Sequence, residues 1–210
     1  TSLEMAAAYA AIANDGEYIE PTFYSKIVDS RNNVVLEPNQ EERRVLSKEN
    51  AFIMQSLLTE PVSPGGTGTA AQIPGMQTCG KTGTTDKDSD GWFCGFTPYY
   101  TGATWYGYDY NAPVISSTST DIWAAIMKDL HTELEDKSFK QPSGIVKATV
   151  CKDSGLLVTD ECKKDSRGSR AYTEYFAKGT VPTEYCDCHV SKKVCKYSGK
   201  LPGDDCDDTI

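Results

Sequence analysis

The residues best suited to chemistry stand together at Lys81-Thr82-Gly83-Thr84, which places a cation, two hydroxyls and a glycine on consecutive positions. They lie within a stretch, 75–97, whose middle reads as a β-hairpin. It has an extended run through Thr84, polar turn residues from Thr85 to Asp90, and an aromatic run from Trp92. Alternate residues of a strand share a face, so Thr82 and Thr84 lie on one side and Lys81 and Gly83 on the other. Two hydroxyls about 7 Å apart on one face can grip a carboxylate, and a glycine lets a ligand approach the backbone. The pattern is that of an anion-binding strand.

Two motifs compete for these residues. Gly75-x-x-x-x-Gly80-Lys81-Thr82 satisfies the letters of the phosphate-cradling loop. That loop needs a buried strand before it and a helix directly after Lys-Thr, whose N-terminus binds the phosphate. Here Pro64 to Pro74 is rich in Gly, Thr and Pro, and Gly83 to Gly91 is rich in turn formers that start a helix poorly. A nucleotide site is therefore not expected. The shorter motif K-T-G fits a strand followed by a turn, which is the context present.

Composition narrows the rest. A chain of 210 residues with 39% apolar content can hold one medium core and a small appendage. No apolar run is long enough to span a membrane, and no basic leader opens the sequence, so no targeting signal is expected. The formal charge of −9 argues against a nucleic-acid partner. Residues 1–150 carry 11 Lys+Arg and 19 Asp+Glu, whereas the remaining 60 carry 10 and 11, so the acidity sits in the first part. The eight cysteines point to an oxidising, extracytoplasmic setting. Cys151, Cys162, Cys186, Cys188, Cys195 and Cys206 fall in the last 60 residues. Cys186-x-Cys188-His189 with Cys195 resembles a zinc site in composition but not in the usual spacing, so three disulfides and no metal are expected there. Cys79 and Cys94 are expected to face each other across the central hairpin, with Lys81 opposite Trp92, close enough for a disulfide.

The elements that position the Lys81 strand follow from periodicity. Residues 2–14 are apolar nearly all round and predict a buried helix, with Thr1-x-x-Glu4 as a capping box and Gly16 as a stop. A hairpin spans 22–28 and 33–36. A helix from Ser47 to Thr59 presents Ala51, Met54, Leu57 and Leu58 and ends before Pro61. The loop 61–75 leads into the central hairpin, and a third strand covers about 102–110. An amphipathic helix from about 120 to 134 carries Ile122, Ile126, Leu130 and Leu134, with Trp123 and Met127. The expected class is α/β in the α+β sense: an antiparallel sheet flanked by helices over 1–140, with a small Cys-rich tail over 141–210. The tail has too few large apolar residues for a robust core without cross-links.

Taken in order, several stretches resemble the transpeptidase domain of class A penicillin-binding proteins, in its C-terminal half. They are Thr1 to Asn14, Gly66-Thr-Gly-Thr-Ala70, Gly80-Lys-Thr-Gly-Thr-Thr85, Asp90-Gly-Trp-Phe-Cys-Gly-Phe-Thr-Pro98 and Trp105-Tyr-Gly-Tyr108. Cys151-x-x-Ser-Gly-Leu-Leu157 and Glu174-Tyr-Phe-x-x-Gly-Thr-x-Pro182 look like the family's C-terminal extension. The resemblance implies a penicillin-binding, β-lactamase-like lobe and D,D-transpeptidation, in which a serine takes an acyl group from a stem peptide ending in D-Ala-D-Ala. It implies that Lys81 supplies positive charge and helps proton transfer, that Thr82 and Thr84 bind the terminal carboxylate of substrate or β-lactam, and that the Thr84 N–H is an oxyanion donor. Such a donor is worth about 3–4 kcal/mol in related acyl transfer. Gly83 would keep the strand open, and Trp92 and Phe93 would support the hairpin. No cofactor is implied.

One departure matters. The family's nucleophile motif S-x-x-K is missing, because no serine here is followed three positions later by lysine. Ser30-Arg31-Asn32 matches S-x-N in letters but falls in an expected exposed turn, and neither His131 nor His189 sits in a triad context. His131 is expected on the helix surface. The expectation is a chain that carries one wall of an active site. The preceding part of the same protein would supply the nucleophile and any membrane attachment, on the outer face of a bacterial membrane. The alternative is a secreted, disulfide-rich binding module without chemistry.

Overall fold

The computed structural model describes residues 1–197 and Leu201, and the chain divides into two compact units, Thr1–Ser143 and Gly144–Ile210.

In the first unit, helix α1 (Ser2–Ala13) starts at a complete capping box between Thr1 and Glu4. The chain then reverses at Gly16, whose φ of +85° and close approach to the Leu46 carbonyl leave no room for a side chain. The all-round apolar helix was expected to be buried, yet only Ala7 and Ala11 are, while Leu3 and Met5 stay 38% exposed. The alanine side packs because short side chains let the helix lie close to its neighbours; a helix with no polar face gives no signal of which side that is. Four short strands follow: β1 (Glu17–Ile19) paired with β4 (Glu42–Arg44), and β2 (Ile27–Val28) paired with β3 (Val34–Leu36). The turn between β2 and β3 is exposed, and the Asp29 carboxylate accepts the backbone N–H groups of Arg31 and Asn33. Ser30-Arg31-Asn32 is thereby a turn.

Helix α2 (Lys48–Thr59) is capped by Ser47, which accepts the Asn50 N–H. Its buried face is Ala51, Phe52, Gln55 and Leu58 rather than the stripe of Met54 and Leu57; Leu57 is 52% exposed. Gln55 turns the helix. Its Nε2 donates to the Ile12 carbonyl of α1 at 2.8 Å, so a polar residue enters the core with its partner.

The central sheet is antiparallel, in the order β5 (Cys79–Thr84), β6 (Asp90–Phe96), β7 (Thr101–Gly107). Phe93 and Phe96, three positions apart, point to opposite faces. Phe93 joins Val62, Ala71, Ile73, Trp123 and Met127, and Phe96 joins Cys79 and Leu58 with Tyr9 and Phe139 around them. The sheet is thus covered on both faces. Helix α3 (Thr118–Leu130) supplies the first cover through Trp123, which meets Phe93 edge-on with ring centroids 5.0 Å apart. Its buried stripe is Trp123, Ala124 and Met127, whereas Ile122, Ile126 and Leu130 are exposed. The helix also stops four residues early. His131 is buried rather than on the surface, because its Nδ1 meets the Met127 carbonyl and its Nε2 the Thr97 hydroxyl, at 2.6 and 2.8 Å. A side chain bonded at both nitrogens caps the helix where periodicity alone would continue it.

The second unit is built on a hairpin of β8 (Ile145–Cys151) and β9 (Ala171–Ala177), with a one-turn helix α4 (Asp160–Lys163) between them. The chain returns at Cys186, whose N–H donates to the Leu157 carbonyl at 2.8 Å. Three buried cysteines, Cys151, Cys162 and Cys186, form a core cluster with Val158 against it. The disulfides expected in this tail are not formed at Cys151, Cys162, Cys186 or Cys188, all of which are free thiols. They gather around His189 instead of pairing. Cys195 is disulfide-bonded, and Cys206 lies outside the described residues. Arg170 and Arg167 bond Asp153 at 2.7 and 2.8 Å, and Arg167 bonds Asp165 at 2.9 Å. These guanidinium contacts hold both carboxyls below the usual carboxylate range.

Candidate active site

Strand β5 is an edge strand, and Lys81-Thr82-Gly83-Thr84 is its exposed end: Lys81 and Thr84 are exposed, Thr82 and Gly83 half-buried. No strand precedes Gly75 in the manner of a phosphate loop, and Thr82 continues as strand rather than opening a helix. The letters of that motif therefore carry no phosphate cradle.

The register differs from the expected one. Lys81 pairs with Cys94, Thr82 with Phe93, Gly83 with Trp92 and Thr84 with Gly91, so Cys79 faces Phe96. Cys79 and Cys94 are both buried free thiols, diagonal to each other rather than opposed. The turn sets this. Thr85 pairs with Asp90 through its N–H to the Asp90 carbonyl at 3.2 Å and through Asp90 N–H to its own hydroxyl at 3.0 Å. Lys87 and Asp88, both at positive φ, then close the connection. A shift of two residues leaves every side chain on its own face, so alternation could not detect it.

That register also orients the backbone. Directly opposed residues of an antiparallel ladder alternate between bonded and non-bonded pairs. With Thr85 bonded to Asp90, the residues one and three before it, Thr84 and Thr82, turn their N–H and C=O groups away from β6 toward the free edge. The Thr82 carbonyl agrees: it accepts Lys81 Nζ at 2.9 Å, outside the sheet. Lys81 Nζ also lies 3.4 Å from the Thr82 hydroxyl. One hydroxyl, one ammonium and the outward N–H and C=O groups of Thr82 and Thr84 therefore lie along the same edge. A strand edge of this kind can take an extended peptide by backbone pairing, with cation and hydroxyls beside it for an anion. Gly83 backs onto Trp92, where an added Cβ would lie 3.2 Å from the Trp92 Cβ. Phe93 is fully buried in the α3 core.

Two contributors were not singled out from sequence. Thr67, in the Gly66-Thr-Gly-Thr-Ala70 run, places its hydroxyl 2.8 Å from that of Thr82 and joins the loop to the strand. The repeated Gly-Thr was the available signal. Asp90 ties three strands, accepting from Thr85 Oγ1 at 2.9 Å and from Trp105 Nε1 at 2.8 Å. Nothing in its local sequence marks it apart from its acidic neighbours. The buried Cys79 thiol, pushed up to about 11 by desolvation, is not a poised nucleophile.

The penicillin binding protein transpeptidase domain matches residues 1–130, and the C-terminal domain of penicillin-binding protein 1A matches residues 141–191. Penicillin-binding protein 1A of Clostridium botulinum is 44% identical over 202 residues, which are 95% of this chain and 24% of that protein. The chain thus spans about a quarter of the length of such relatives. The crystal structure of penicillin-binding protein 1A from Haemophilus influenzae superposes with a TM-score of 0.71 at 26% identity, covering 89% of this chain and 33% of that one. Penicillin binding protein 3 from Mycobacterium tuberculosis, complexed with ampicillin, gives a TM-score of 0.54 at 26% identity over 68% of this chain and 37% of that one. With a family match over more than half its length, the chain belongs to the class A penicillin-binding proteins, as the C-terminal part of the transpeptidase domain followed by the family's C-terminal extension.

Proposed function

We propose that residues 1–140 form the K-T-G wall of a serine-type peptidoglycan D,D-transpeptidase, with residues 141–210 as its C-terminal extension. The observation that carries this reading is the free edge of β5, where Lys81 Nζ meets the Thr82 carbonyl and hydroxyl and where ladder alternation turns the Thr84 N–H outward. In this reading a stem peptide ending in D-Ala-D-Ala lies along that edge. Thr82 and Thr84 hold its terminal carboxylate, and the Thr84 N–H faces the oxyanion that develops during acyl transfer. Lys81 supplies charge and assists proton movement around the nucleophile. A β-lactam, which the Mycobacterium tuberculosis relative binds as ampicillin, would occupy the same edge with its carboxylate on the threonines.

The nucleophile is assigned to the part of the protein preceding Thr1, since no serine of this chain has a lysine three positions on. The complete protein would act on the outer face of the bacterial membrane. The competing reading, a disulfide-rich binding module, loses support from the free thiols of the tail. The test is β-lactam acylation of the complete protein with Lys81→Ala, Thr84→Val and an exposed control, Ile126→Ala. Acylation falling in the first two alone supports the site, and unchanged rates in both remove this edge from the mechanism.

A further inference from the structure

The C-terminal unit gathers a second constellation, separate from the K-T-G strand. Cys151 ends β8, Cys162 lies in α4, and Cys186 and His189 follow β9. Their three sulfurs and one imidazole nitrogen lie within 4.8 Å of one another. His189 Nδ1 is 3.4 Å from Cys151 Sγ and 3.2 Å from Cys186 Sγ. Four donors about a tetrahedral ion with bonds of about 2.0–2.3 Å stand roughly 3.5–3.8 Å apart, so this spread needs little contraction to enclose one.

We propose that Cys151, Cys162, Cys186 and His189 bind one zinc ion that holds the C-terminal unit together. Three features beyond proximity point there. The imidazole is oriented from behind, because His189 Nε2 donates to Asp165 and Asp153 carboxylates at 3.0 and 3.1 Å. That fixes the proton on Nε2 and aims the Nδ1 lone pair into the cluster, the carboxylate–histidine arrangement found behind metal-bound imidazoles. Two sulfurs accept backbone N–H groups, Cys151 from Asp153 and Cys162 from Thr159, each at 3.4 Å, contacts that favour thiolate. The location is also structural. The cluster is the core between α4, the β8 end and the returning chain, and a two-stranded hairpin is marginal without such a staple.

Three thiolates and a neutral imidazole form a closed Cys₃His set, with the thiol protons released to water on binding. No position remains for substrate, so the ion is structural. The spacing, C-x₁₀-C-x₂₃-C-x₂-H, escapes the common finger patterns because its ligands come from separate elements. Cys188 Sγ, at 3.4 Å from both Cys186 Sγ and His189 Nδ1, is exposed and outside the mutually close set, and it serves as the control.

The test uses the full chain purified under reducing conditions with zinc present, then desalted. Elemental analysis is expected to give one zinc per chain, and cobalt substitution the charge-transfer and visible bands of a tetrahedral thiolate site. Cys188→Ser should retain the metal. Cys162→Ser and His189→Ala should lose it, and Asp165→Asn should bind about 10- to 100-fold more weakly. The cobalt spectrum of the unaltered chain keeps the test decisive should a cysteine variant misfold. Metal-free protein in which Cys151, Cys162, Cys186 and Cys188 map to disulfides by mass would overturn the proposal. So would iron in place of zinc, or zinc retained in both ligand variants.

Discussion

At the scale of single residues, the chain separates groups placed for contact from groups placed for packing. Lys81 stands exposed on a strand edge, and among the described residues its side chain hydrogen-bonds to Thr82 alone, so truncating that side chain should spare the fold. In the complete protein, Lys81→Ala is expected to slow β-lactam acylation by more than about tenfold, a floor set below the roughly 100- to 10,000-fold that a positioned acid–base group contributes, with unchanged thermal midpoint. Stopped-flow acylation and calorimetry of one preparation check both halves. Cys79 is the opposite case. Burial pushes its thiol from 9.0 up to about 11, so the folded chain keeps a proton that the unfolded chain sheds above pH 9. Folding then takes up a proton, and stability falls as pH rises from about 9 to about 11, by at most about 2–3 kcal/mol from this group. Denaturant titrations of the parent and Cys79→Ala across that range should differ in slope, with the variant flatter. Parallel slopes would show that the thiol ionises freely in the folded state.

At the scale of elements, sequence reading was good at finding helices and strands and poor at rotating them. The capping box at Thr1 and Glu4, the bounds of α2 to within a residue, and the strand–turn–strand around Lys81 were all legible, because each depends on residues close in sequence. The buried face of α2 was legible at Ala51 and Leu58 but not at Gln55, which is drawn inward by the Ile12 carbonyl 43 positions away. For α3 the sequence offered two stripes and no means of choosing between them. Ile122-Ile126-Leu130 and Trp123-Met127 are both apolar at helical spacing, and only the sheet decides, by offering Phe93 as partner to Trp123. The register slip at Cys79 is a third instance, set by left-handed residues in a turn lacking the Asn-Gly signal. The α3 assignment predicts a contrast between neighbours. Met127→Ala should cost about 2–5 kcal/mol and Ile126→Ala less than about 0.5 kcal/mol. Equal costs in urea denaturation would return the helix to the alternative stripe.

At the scale of the whole molecule, the question is what this length of chain can do without the rest of its protein. The family match begins at residue 1 and the chain spans 24% of a 1A relative, so its chemistry is judged on the residues it holds. Acylation by a β-lactam needs a nucleophile activated by a neighbouring base, within hydrogen-bond reach of each other. The serines here have no lysine at the required spacing. The two histidines are otherwise engaged, His131 by Thr97 and the Met127 carbonyl, His189 by cysteines and two aspartates. Lys81 donates to a neighbouring carbonyl, and among the described residues its hydroxyl partner is Thr82, whose own oxygen is shared with Thr67. The 210 residues, incubated with excess penicillin and examined by intact mass, are therefore expected to show no covalent adduct, while the complete protein gains one acyl group. A stoichiometric adduct on the short chain would place a nucleophile within it, and its site, mapped by peptide digestion, would replace the assignment of that role to the preceding part.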